Sequence, residues 1–175
     1  MAGIAEGRGT RRGTPAGSAG QRVAAGIYGA IVTAAILAAA GGKLPTAALV
    51  VSVVVTLLVY WLAEEYAELL GEQTEKGALP TWAYVRRALA ATWPMVSASY
   101  LPLLALVLAR LAGASPLTAA NVGLVVAVVV MTFYGWRAGR AAQLHGRQLF
   151  FVTAAAAALG LVMILLKDLA LLHLH

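Results

Sequence analysis

The residues best equipped for chemistry are Glu64, Glu65 and Glu68, in the stretch SVVVTLLVYWLAEEYAELLGEQTE that covers residues 52–75. On a helix Glu64 and Glu68 share a face and Glu65 lies within one turn of Glu68, so their oxygens could gather a proton or a hard cation. They are the candidate metal ligands of the chain. No histidine or cysteine accompanies them on this stretch, so a transition-metal site built from it alone would be weak. The competing reading makes them headgroup-level anchors, paired with Arg86, Arg87, Arg137 or Arg140 beside an aromatic belt of Tyr60, Trp61, Tyr66 and Trp82. Ser52, Thr56, Tyr60, Glu64, Glu68 and Glu72 recur every fourth residue, a polar ridge expected to face protein and not lipid.

Other candidates are scattered along apolar stretches. Lys167 and Asp168 are an ionisable pair in the last hydrophobic segment; they either face the bundle interior or snorkel to the surface, with Arg110 a partner for Asp168. Pro94 and Pro102 each remove a backbone donor and free a carbonyl one turn earlier, so the segment holding them and Ser97 is expected to kink and offer carbonyls to a path. Asn121 and Tyr60 complete the intramembrane polar set. His173 and His175 read as a frayed tail and His145 as a solvated loop residue. There is no Gly-rich phosphate loop, no GxSxG, no HExxH and no cysteine, so neither catalysis nor a cofactor is expected.

The elements that must carry these groups follow from composition. Of 175 residues 61% are hydrophobic and only 11% charged, against about 25% charged in a soluble domain. The reading is an all-α, polytopic membrane bundle of five transmembrane helices, at about 23–42, 46–70, 88–110, 117–137 and 148–172, with a tail at 173–175. The 71–87 stretch reads as the one polar connector of real length. Gly26, Ala30, Ala34, Ala38 and Gly42 form a ribbon at spacing four in the first span, which admits a close helix neighbour. A cleaved signal peptide is the alternative for that segment.

Residues 1–22 carry almost no bulky apolar side chains and read as a disordered basic arm. Basic residues fall on alternate ends: Arg8, Arg11, Arg12, Arg22, Lys76, Arg86, Arg87, Arg137, Arg140 and Arg147 on one, Lys43 and Arg110 on the other. That asymmetry predicts an N-terminus in the cytoplasm and a C-terminus outside, in a multi-pass protein of the cell (inner) membrane. The net charge of +6 is placed by topology, and no nucleic-acid partner is expected.

GIYGAIVTAA, YWLAEEYAE, TWPMVSASYLP and LVMILLKDLA give the chain the look of a group of small, uncharacterised actinobacterial integral membrane proteins. More faintly it resembles the vacuolar iron transporter family, through Glu65-Tyr66 followed by Gln73 and Glu75. That resemblance implies five spans, a cytoplasmic N-terminus and iron transport. The chain departs from that family in having no acidic residue in its first span and only residues 71–87 in place of a long metal-binding insertion. The expected function is transport of a small ion, proton or solute, as a transporter or channel subunit and a homo-oligomer in the lipid bilayer. The alternative is a non-transporting scaffold or accessory protein.

Overall fold

A computed structural model describes residues 19–76 and 81–173. They fold into seven helices: α1 (Ala19–Ala40), α2 (Thr46–Lys76), α3 (Trp82–Thr92), α4 (Pro94–Ser97), α5 (Tyr100–Leu111), α6 (Pro116–Ala141) and α7 (Arg147–His173). No strand occurs among the described residues. Four stretches are long and apolar enough to cross a membrane: Ala19–Ala40, Thr46–Gly71, Trp82–Leu111, which takes in α3 to α5, and Pro116–Ala141. The described apolar part of α7 is shorter, Arg147–Val162.

Helix α6 is the hub, packed against α1, α5 and α7, while α1 also touches α2, α3 and α4. The ribbon on α1 meets α6. Gly26 lies under the Tyr134 ring, where a Cβ would come within 2.8 Å of Cδ1, and Ala30 packs against Val130 and Met131. Small residues let the two backbones come close, and the gain is dispersion contact along the whole seam. Larger side chains point outward: Val51, Val55 and Val59 on α2, Leu104 and Leu108 on α5, Val125 and Val129 on α6, and Phe150 and Phe151 on α7 are all exposed. With so much Val, Leu and Phe surface left outward, the bundle is compatible with an integral membrane protein.

The polar ends of the helices extend beyond the apolar spans. Helix α1 takes in Ala19–Arg22, which the composition alone assigns to the arm; Gln21 lends a side chain to α2 and so gains a reason to be ordered. The 71–87 connector is largely helical, because α2 continues to Lys76 and α3 begins at Trp82. Lys167 and Asp168 fall in α7, but their side chains, like residues 1–18 and 174–175, lie outside the described residues.

The third span bends twice, at Trp93 and at Ala98–Ser99. Trp93, Ala98 and Ser99 all keep right-handed helical dihedrals, so the chain bends without unwinding. The Ser99 N–H reaches only three residues back, to Val96 O (3.2 Å), and Leu103 N–H on Ser99 O (2.9 Å) restarts the regular ladder. Pro94 opens α4, and Pro102 sits buried in α5. Gly29 of α1 sits against this bend, where a Cβ would lie 2.7 Å from Met95 C and 2.9 Å from its Cα.

Turn chemistry fixes the hairpins. Ser115 caps α6 by accepting from Thr118 N–H (3.1 Å), with Pro116 in the first turn. Helix α5 closes with Gly113 at φ +91°, its N–H on Arg110 O (3.0 Å) and Ala114 N–H on Ala109 O (3.0 Å), a Schellman motif. Helix α6 ends the same way around Gln143 at φ +56°. A side chain pays about 1 kcal/mol for that conformation, so Gln143→Gly is expected to raise stability by about that amount, read as an upward shift in unfolding midpoint. A lower midpoint would show that the Gln143 side chain earns its place.

Candidate functional site

Glu65 ends a buried row on α2. Leu49, Val53, Leu57, Trp61 and Glu65 recur at spacing four; the first three are fully buried, Trp61 is partly buried, and Glu65 is 3% exposed. The ridge of Ser52, Thr56, Tyr60, Glu64 and Glu68 runs one residue out of phase with this row; its end at Tyr60, Glu64 and Glu68 meets α1, with Tyr60 and Glu64 exposed and not packed in protein as the spacing alone predicts. Glu64 and Glu65 therefore diverge. Glu65 turns toward α3, where its Oε1 accepts from the Thr92 hydroxyl. Thr92 is itself fully buried, and its oxygen accepts from Trp61 Nε1 (3.0 Å). Trp61 in turn sits edge-on to Trp93, centroids 5.1 Å apart. The indole expected in a headgroup belt is thus turned inward, because it has a buried hydroxyl to donate to.

Buried polar side chains in the described bundle are Thr33, Glu65, Thr92 and Ser99. Thr33 and Ser99 are satisfied on their own helices, by Gly29 O (2.7 Å) and Val96 O (2.7 Å). Glu65 Oε2 is the exception, buried with no hydrogen-bond partner among the described residues. A carboxylate out of water retains its charge only against a counter-ion or several donors. Here one hydroxyl serves, and its single hydrogen has a second acceptor in range, Ala88 O at 3.3 Å.

A recess of about 510 Å³ opens between α1 and α2. Gln21, Tyr28, Tyr60 and Glu64 line it, with Met95 from the bend. Tyr28 and Tyr60 meet edge to face at 5.9 Å, and Gln21 Nε2 donates to Glu68 Oε2 (3.3 Å) across the same gap.

No family model, curated protein or solved structure matches the chain.

Glu64 and Tyr60 line this recess, Glu68 accepts from its lining residue Gln21, and Pro94 starts the helix that presents Met95 to it. Glu65 stands one residue away from the lining, on the α3 side. Among the described residues no group of three or more carboxylate or imidazole side chains is placed to hold a metal ion. Ser97 is half-buried between the bends, Pro102 is buried in α5, and Asn121 is exposed on α6. Arg110 donates through Nε to Thr46 Oγ1 (3.1 Å) and through Nη1 to Ala114 O, tying the far ends of α2 and α5 together; its expected partner Asp168 has its side chain outside the described residues. Arg140 lies over the Trp136 ring at 5.9 Å, and Arg137 lines a different recess. Thr92, Gln21 and Tyr28 had no motif to mark them. The signal that was available for Glu65 was the phase of its row, which joins it to Leu49, Val53 and Leu57.

Proposed function

We propose that the chain is a five-span protein of the cell inner membrane that moves a proton or small cation, with Glu65 as the exchange group and the α1–α2 recess as its cytoplasmic mouth. The observation that carries this reading is the Glu65 carboxyl, buried at the end of an apolar row with one oxygen unpartnered. Such a group costs stability and is retained in membrane proteins chiefly on ion or proton pathways. Thr92 adds a hydroxyl that can bond Glu65 or Ala88 O, and so can follow a change of charge on the carboxyl. The iron-transporter resemblance puts ferrous ion among the cations to try.

In reconstituted vesicles, Glu65→Gln keeps the shape of the side chain and is expected to abolish proton or divalent-cation flux, while Glu64→Gln at the rim lowers it severalfold. Undiminished flux with Glu65→Gln would remove Glu65 from the path, and no flux of any tested ion through the wild-type protein would remove transport altogether. A scaffold reading is favoured by one feature, the close α1–α6 seam, which leaves no passage on that side of α1.

Orientation rests on the basic asymmetry. The ends of α1, α2, α3 and α6 that carry Arg22, Glu68, Arg86 and Arg137 lie together, whereas Lys43 and Arg110 are at the other end. Reporter fusions after Lys43 and at the C-terminus are both expected outside. A cytoplasmic C-terminus would replace five spans by four.

A further inference from the structure

A second recess, of about 500 Å³, lies between α1, the Pro94 bend and α6, with Arg22 and Arg137 in its lining. Neither guanidinium has a hydrogen-bond or carboxylate partner among the described residues. From this geometry we infer a binding site for a phosphate group, held between Arg22 of α1 and Arg137 of α6 with Tyr134 as its wall.

The two recesses use opposite faces of α1. Gln21, Ala24, Ala25 and Tyr28 face the acidic one, and Ala19, Arg22 and Val23 the basic one; at about 100° per residue these sets are on opposite sides of the helix. Helix α1 therefore keeps Glu64 and Glu68 away from the arginines, and no acidic residue lines the second recess. Both guanidiniums are exposed at the recess, and two positive charges lining one concavity attract an anion into it. Their planar forks match tetrahedral phosphate oxygens two at a time. Tyr134 holds the wall in place because its ring is seated on Gly26, where a side chain would collide with it. All four of Arg22, Arg137, Arg86 and Arg87 are exposed, but Arg86 and Arg87 line neither recess.

A basic pocket between helices at this end of a membrane bundle fits the phosphate of an anionic phospholipid, and inorganic phosphate or a soluble phosphate ester offers the same oxygens. The test uses the full chain in detergent, titrated with phosphatidylglycerol, phosphatidylcholine or inorganic phosphate, with bound ligand counted by native mass spectrometry. Phosphatidylglycerol is expected to bind more tightly than phosphatidylcholine, and Arg22→Gln with Arg137→Gln is expected to weaken it about tenfold or more. The pair Arg86→Gln with Arg87→Gln should leave it unchanged. Arg22→Lys with Arg137→Lys retains the charge but loses the forks, so intermediate affinity is expected even if the glutamine pair fails to fold. The same variant pattern with inorganic phosphate, and no preference for phosphatidylglycerol over phosphatidylcholine, would support the site with a soluble source. Equal losses from both glutamine pairs would overturn it in favour of diffuse surface charge, as would lysine-pair binding equal to wild type, or no binding of any phosphate-bearing probe that depends on Arg22 and Arg137.

Discussion

One methyl group at Gly29 is expected to cost the bundle about 3 kcal/mol, the upper part of the usual range for overpacking. A Cβ there meets Met95 C at 2.7 Å and Met95 Cα at 2.9 Å, and overlaps the Met95 carbonyl oxygen. These are backbone atoms of the bent segment, so no rotamer change can relieve the clash; α1 and α4 must separate, and the adjoining seam with α6 is disturbed with them. Gly26→Ala should cost less, because what it meets is the edge of the Tyr134 ring, which can tilt. At Gly71 a Cβ meets nothing within 4 Å, and Gly71→Ala is expected to gain about 0.5–1 kcal/mol from helix propensity alone. Reversible unfolding in mixed micelles of the three variants gives the order directly. If Gly29→Ala proved no worse than Gly26→Ala, the close approach of α1 to the bend would be wrong.

The second large effect lies in the pairing of Glu65 with Thr92. Thr92→Val preserves shape but leaves the carboxyl without its one donor and Trp61 Nε1 without its acceptor. Unsatisfied buried groups cost about 1–3 kcal/mol each, so a loss of about 3 kcal/mol is expected. Glu65→Met is expected to be neutral or stabilising by about 1 kcal/mol, since replacing a poorly paired buried carboxyl by an apolar side chain removes its desolvation cost. Thr92 then retains Trp61 as a donor and Ala88 O as an acceptor. In the double variant part of the Thr92→Val penalty should vanish, and a double-mutant cycle measures how much. Loss of several kcal/mol on Glu65→Met would make the carboxyl a structural element and take away the ground for assigning it to transport. A stabilised Glu65→Met with lost flux is the combination expected of a residue held for function against stability.

Much of the architecture was legible before any coordinates. Uncharged apolar runs of about 20 residues read as helices, since a membrane strand needs only about 10 and a backbone out of water must satisfy its own polar groups. The runs from Val23, Thr46, Ala88, Leu117 and Gln148 correspond to α1, α2, the bent third span, α6 and α7, with the helices reaching further at their polar ends. The ribbon at Gly26, Ala30 and Ala34 showed which face of α1 would be approached, since small side chains at spacing four have no other effect as strong. Pro94 and Pro102 announced a broken third span for the covalent reason that proline has no N–H.

What the residues alone left open is where neighbouring side chains point. Glu64 and Glu65 are adjacent in sequence and chemically identical, yet one lines a recess and the other is buried against Thr92. About 100° of helix rotation separates them, and only the placement of α3 decides which of the two is enclosed. The same holds for Gly29, one residue from the ribbon, whose importance comes entirely from the Met95 backbone laid across it. Arg22 and Arg137 are 115 positions apart in the chain and share a recess because α1 and α6 pack along most of their length. Periodicity and composition act within one segment and mark each helix and its apolar stretch; the partners of Glu65, Gly29 and the two arginines come from helices distant in sequence, and only the tertiary packing supplies them.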